Sequence, residues 1–375
     1  MIIANQTLHG YANGHQMIAS SCEWDLNDRK KMDVLSDLNS RCDDERLSYY
    51  MGYSISNGKN YVIAKTWYAG EMSRPGCVWT HSLILKTEDI SKIKKIEEII
   101  TVFQRPDNYD FKRYSNIIEF EEMDKFESYC PNERLEYLIY TIYGTGNPRI
   151  VTFDDCGIET IKQLLYCIRN MPSALLKEFS FTTMTYEART YNRKLFMYQV
   201  TTENLAGNIK RRNPQMEICV PYKSIEKMPY WVRCFNEYLK NNAIKNLYNF
   251  VESYGEPYFK WAYFNGFIRI FFLLQSNKEL QLVEYFRVLS QVIENRADEL
   301  IQRTIDLLLE EKFSAYVFKN VEYQILENID LGIFKLSKKQ NIHLFDKIMS
   351  GQLEYLYPLL CRYKEGKLKA KSQEF

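Results

Sequence analysis

Histidine is the scarcest side chain here with the chemistry for acid–base or metal work, at four in 375 residues, and His9, His15 and His81 fall in the first quarter of the chain. His15 directly follows Asn13-Gly14, a turn pair, and would project from a sheet rim toward a pocket. A two-residue Asn-Gly hairpin pairs Ala12 with His15 and His9 with Ile18, which sets the two imidazoles on opposite faces of the ribbon. A shared metal is then not expected, and no tight cluster of His, Cys, Asp and Glu offers another. His81 shares a strand face with Cys77, Trp79, Leu83 and Leu85, the setting of a hydrogen-bonded, half-buried structural histidine. Cys77 and His81 fail as a thiol–imidazole pair, because four residues of strand separate them by about 13 Å against a hydrogen-bond reach of about 3 Å. Arg74-Pro75-Gly76 is a rigid loop that aims a guanidinium, and two readings stand open: contact with an anion or carboxylate, or a salt bridge to Glu71 or Asp37. His15, Arg74 and His81 are therefore the candidate binding residues. The enzymatic alternative is a phosphoesterase or nuclease in which His15 and His81 converge on a phosphate held by Arg74.

Nucleotide signatures are missing. Five residues separate Gly52 from Gly58 where a phosphate loop has four, and Asn60 stands where its magnesium-binding hydroxyl belongs. Gly144 and Gly146 lack the third glycine of a dinucleotide fingerprint, so no cofactor is expected. The 49 basic and 48 acidic side chains cancel to +1, which removes the bulk electrostatic drive toward nucleic acid or anionic membrane. Lys210-Arg211-Arg212 and the basic stretch at 362–371 read as solvated runs, so nucleic acid is not the favoured partner. With 29 Tyr, 21 Phe and 5 Trp, large rings carry the packing and part of the contact surface, which suits a protein partner. Nine cysteines without a CxxC motif, no secretory pattern at the start and an apolar run confined to 270–274 lead us to expect a soluble protein of a reducing cytoplasm.

The elements that must position these residues follow from periodicity. Segments 2–11, 16–22, 49–56, 61–68 and 78–86 are strand-like, with two-residue hairpins expected at Asn13-Gly14 and Asn57-Gly58. Ile90, Ile93, Ile96, Ile99, Ile100 and Phe103 form one apolar stripe that predicts a helix closing the first domain. Residues 107–222 alternate, with helices at 121–142 and 157–170 and short strands at 149–153, 178–184, 194–200 and 216–220. From 224 on the pattern is helical. The expectation is an α+β protein with a β-rich domain at 1–106, a mixed domain at 107–222 and a helical domain at 223–375.

Four stretches form an ordered pattern: HGYANGHQMIASS at 9–21, LSDL at 35–38, YYMGYSISNGKNYVIAKTWYAGEMSRPGCVWTHSLIL at 49–85 and KEFSFTTMTY at 177–186. It resembles the N-terminal (type 1) and middle regions of the GTPase-associated proteins of bacterial conflict and anti-phage gene clusters. The resemblance implies a non-enzymatic adaptor, scaffold or sensor, partnered by a GTPase, an effector or both. Positions that match it are Gly10, Tyr11, Gly14, His15, Asp37, Trp67, Arg74, Pro75, Gly76, Trp79, His81 and Ser82. Glycine, proline and tryptophan are what a hairpin and its core need, which leaves His15, Arg74 and His81 for a site.

Overall fold

The computed structural model describes residues 1–39, 47–72, 76–107, 110–123, 133–153, 157–276, 281–292, 297–311, 321, 324–325 and 336–351. The runs of Ile, Val, Tyr and Trp in the first 86 residues become β1 (Ile2–Tyr11), β2 (His15–Ser20), β3 (Ser48–Ile55), β4 (Asn60–Tyr68) and β5 (Val78–Lys86). They pair antiparallel in the order β3-β4-β5-β1-β2, and β6 (Ile118–Phe120) joins the start of β1. Both expected hairpins form, with longer loops than expected. Tyr11 pairs with His15, so the first loop is Ala12-Asn13-Gly14. Ile55 pairs with Asn60, and in the loop between them Ser56, Asn57 and Gly58 take φ values of 52°, 55° and 84°.

A helix that the apolar pattern did not announce lies between β2 and β3. Helix α1 (Leu26–Ser36) begins at Asp25, whose carboxylate accepts from the Asn27 and Asp28 N–H groups at 2.9 and 3.0 Å. Its Met32 and Leu35 cover one face of the sheet, packing with Tyr53, Ile55, Val62, Ala64 and Ile84. On the opposite face Leu8, Cys77 and Trp79 pack with Tyr114, and Phe111 lies against them.

The continuous helix expected over 90–103 is broken. All six stripe residues are buried, but Ile90–Lys92 is a single 3₁₀ turn, Ile93 is extended and bridges Glu122, and only α2 (Glu98–Val102) is helical. The Arg169 guanidinium donates to the Lys94 carbonyl at 2.9 Å and the Lys94 N–H donates to the Glu121 carbonyl, so backbone groups that a helix would use are engaged elsewhere.

The chain then alternates. Helix α3 (Glu133–Tyr143) precedes β7 (Arg149–Thr152); α4 (Ile158–Arg169) and α5 (Ser173–Leu176) lead to β8 (Phe181–Thr182). A ribbon of β9 (Thr190–Tyr191) and β10 (Lys194–Leu195) is followed by β11 (Tyr198–Thr201), α6 (Glu203–Arg212) and β12 (Glu217–Ile218). Residues 121–123 lie before α3 and outside any helix, and the rest of the expected helix N-terminal to Glu133 falls outside the described residues. Strands β12-β7-β11-β8 are parallel, and β8 pairs antiparallel with β3. One ten-stranded sheet therefore spans both regions that the sequence suggested as the first two domains.

By contacts the chain forms two units, Met1–Ile244 with Lys260–Ala262, and Lys245–Phe259 with Tyr263–Phe375. The first includes the sheet and α7 (Tyr230–Lys240). The second is helical where described: α8 (Ile244–Tyr254), α9 (Trp261–Ser276), α10 (Leu282–Val292), α11 (Ala297–Leu309) and the helix Lys338–Gly351 supply it. In its core the Tyr254 hydroxyl meets those of Tyr285 and Thr304. The overall class is α+β, as expected. No described helix is long and apolar enough to cross a membrane.

Candidate functional site

The three-residue loop decides which way the first histidines point. With Tyr11 opposite His15 and His9 opposite Met17, both imidazoles lie on one face of the ribbon, and their rings stack with centroids 6.3 Å apart and planes 13° apart. The two-residue turn expected from Asn13-Gly14 put them on opposite faces, and the added residue in the loop reverses that.

The last turn of α1 lies over this face and supplies their partners. Asp33 Oδ1 stands 3.3 Å from His9 Nε2 and accepts from the Met17 N–H at 3.1 Å. Ser36 Oγ is 2.8 Å from His15 Nε2, and Asp37 Oδ1 is 3.8 Å from His15 Nδ1. Arg189, buried just before β9, donates to the carbonyls of Leu35 and Asp37, the latter at 2.8 Å, and so places a cation at the negative end of α1. Thr80 donates to the Ser36 carbonyl at 2.6 Å, tying the same turn to β5.

Ser36, His15 and Asp37 follow the order of nucleophile, base and orienter, but the geometry makes them a positioning set. Ser36 is 1% exposed and its hydroxyl donates to the Asp33 carbonyl at 3.0 Å. The same oxygen meets His15 Nε2, and Asp37 at 3.8 Å is beyond hydrogen-bond reach of Nδ1, so the three do not form a nucleophile–base–orienter chain. Burial lowers the pKa of His9, against the opposing pull of Asp33, and burial likewise lowers that of His15. For Asp33, burial favours the neutral acid, yet His9 and the Met17 N–H outweigh it and hold the carboxyl below its usual range.

His81 is on the other face. Thr80 pairs with His9 across β5 and β1, while His81 pairs with Leu8, so the side chains of His81 and of the stacked pair leave opposite sides of the sheet. His81 is 2% exposed, donates from Nε2 to Gln6 Oε1 at 2.8 Å and accepts the Gln104 N–H on Nδ1 at 3.3 Å. Tyr114 and Phe103 stand edge-on to the ring at 4.9 and 5.4 Å, and burial pushes its pKa down to about 3. Both nitrogens are thus used by a neutral imidazole. The structure does not bring His15 and His81 together on one phosphate. Arg74 and Pro75 lie outside the described residues; Glu71 accepts from Trp79 Nε1 at 2.7 Å and pairs with Arg105.

Lys210, Arg211 and Arg212 form the C-terminal turn of α6 and not a loop, with both arginines exposed to solvent as expected. Lys210 donates to the Pro214 and Met216 carbonyls, Arg211 to Asn208, and Arg212 pairs with Glu187 at the rim of a cleft of about 480 Å³. Among the described residues no group of three or more His, Cys, Asp or Glu side chains could hold a metal ion. Sequence reasoning missed Asp33, Ser36 as a histidine partner, and Arg189. The Asp25 cap ahead of Leu26 was the available signal for the helix that brings the first two.

Fold and site together define an α+β protein whose N-terminal antiparallel sheet holds two stacked histidines beneath a capped helix. Residues 3–103, the segment that carries both histidines and α1, match the family described as GTPase-associated protein 1, N-terminal domain type 1. No curated protein and no solved structure matches the chain.

Proposed function

We propose that this chain is a non-enzymatic adaptor or sensor that works beside a partner GTPase, through protein surfaces of its first unit, in the cytoplasm of a bacterium defending itself against phage. The observation that carries the reading is the match of residues 3–103 to a domain described as GTPase-associated. Two features of the matched segment support it. Burial keeps its three histidines toward the neutral ring, and both nitrogens of His81 are taken up inside the sheet packing, which leaves that ring no free atom for a substrate. Aromatic residues make up 15% of the chain, a composition that protein interfaces favour. The test is co-purification of the tagged full chain with the products of adjacent genes, in GDP and in a non-hydrolysable GTP analogue. A stable complex with a G-domain protein in one nucleotide state is the expected result, and no complex in either state overturns the reading.

A further inference from the structure

On the sheet face opposite α1, Tyr50, Lys65 and His81 form one cross-strand row, because Tyr50 pairs with Lys65 and Lys65 with His81. Lys65 is half-buried, with its ammonium 5.0 Å from the Tyr50 ring centroid and 5.1 Å from that of Trp67. Burial lowers its pKa, and no carboxylate stands close enough to offset that. Among the described residues the ammonium has no ion pair and no hydrogen bond, and the half-buried Trp67 leaves its indole N–H unpaired. The buried Tyr50 hydroxyl also has no partner there. Among the described residues Lys65, Trp67 and Tyr50 therefore present donors with no protein acceptor, while His81 in the same row is satisfied by Gln6.

Lys31 shows what a satisfied version looks like. Its ammonium also lies over two rings, Tyr53 at 5.8 Å and Tyr191 at 5.2 Å, but it donates to the Ser54 carbonyl at 2.7 Å and has Asp28 nearby. Lys65 has the rings without the acceptor. Cation–π contact recovers only part of the cost of desolvating an ammonium, so a partly buried lysine of this kind gains from an outside anion.

We infer that Lys65, with the Trp67 indole N–H beside it, is the docking point for the carboxylate of an acidic side chain on a protein partner. The uncompensated charge selects an anion. The flanking rings exclude water, which strengthens the ion pair once it forms. The choice of occupant rests on the adaptor reading; the site itself can be read without any partner.

In the full chain, reductively methylated with ¹³C-formaldehyde, the Lys65 dimethylammonium signal is assigned by its absence in Lys65→Arg. N-acetylglutamate α-amide is titrated in, with N-acetylglutamine amide and inorganic phosphate as separate arms. The expected result is a saturable shift of the Lys65 signal by the carboxylate alone, larger than that of any other lysine. A Lys65 signal that moves with the rest, or one that answers to phosphate more than to carboxylate, overturns the assignment. Lys65→Met should leave the unfolding midpoint unchanged or raised, where a lysine with a purely structural role would lower it. In a GTPase complex the same variant should weaken binding about tenfold or more. Wild-type affinity for Lys65→Met would refute the docking point and leave the adaptor standing; failure to find a complex would refute the adaptor while the titration still reads Lys65.

Discussion

His9 and His15 stack at 6.3 Å with nearly parallel rings, and a single extra loop residue makes that contact. A charge on His9 would face the His15 ring and lower its tendency to take a proton. Asp33 and Asp37 pull the other way from α1, but burial dominates for both histidines.

These depressed pKa values make stability depend on pH below neutrality. A histidine whose folded pKa lies below 6.5 binds fewer protons folded than unfolded between those two values, so stability rises with pH across that window and is lost as pH falls through it. For His81 the window runs from 6.5 down to about 3. Each such histidine should remove roughly 1.4 kcal/mol per pH unit within its own window. Urea unfolding followed from pH 7.5 to pH 5 (about the range before carboxylates take over) should show falling stability. His81→Gln should be less stable at neutral pH yet show a shallower slope; an unchanged slope would mean that His81 is not a buried neutral base.

Arg189 acts at a distance of 153 residues from Ser36 along the chain, yet it caps the helix that holds both histidines. Its buried guanidinium stands at the carbonyl end of α1, so Arg189→Met should cost roughly 1.5–3 kcal/mol, the range for hydrogen bonds to a charged group. Denaturant titration gives the loss, and hydrogen exchange should localise it to the last turn of α1. Protection there equal to wild type would show that Ser36 and Asp37 are held without Arg189.

The strands were readable because each carries its pattern locally: β1 and β5 begin and end at the residues that the β-branched and aromatic runs mark. Helix α1 was hidden because its buried side is narrow, with Met32 and Leu35 set among Asn, Asp, Arg and Lys. The stripe from Ile90 to Phe103 gave the buried face correctly and the helix wrongly, since periodicity reports which side chains are inside and not where carbonyls find donors. The histidine pair was lost to one loop residue, and Arg189 could not be placed because it reaches α1 only through the third dimension. His81 stood in the sequence both as a structural histidine, from the company it keeps on its strand, and as a binding candidate; the fold buries it at 2% exposure with both nitrogens engaged.

Loop conformation gives a further test at Gly58. It sits at φ +84°, where a Cβ would also meet Cγ and Cβ of Lys177 at 2.6 and 3.0 Å. Those atoms lie at the root of the side chain, and the Lys177 backbone is held by Ser54 and Ser173, so Gly58→Ala should cost about 1–2 kcal/mol from the left-handed backbone and the overlap together. The neighbouring anchor is stronger: Asp28 accepts from the Ser56 N–H at 2.8 Å and from its hydroxyl. Asp28→Ala should therefore lower urea stability more than Gly58→Ala, and the reverse order would show that the turn is held by its own backbone.

Gly10 is a different case, because its constraint is contact. A Cβ there would lie 2.1 Å from Cζ3 of Trp79, and that ring cannot swing away freely. Its indole N–H is bonded to Glu71 at 2.7 Å, and Phe111 packs against it at 5.7 Å between centroids. Overpacking a fixed core ring costs about 1–3 kcal/mol and sometimes more, so Gly10→Ala should be clearly worse than Gly58→Ala despite adding the same methyl. Restoring space with Gly10→Ala plus Trp79→Phe should recover part of the loss in a double-mutant cycle. Additive losses would mean that the glycine is required for a reason other than the indole lying across it.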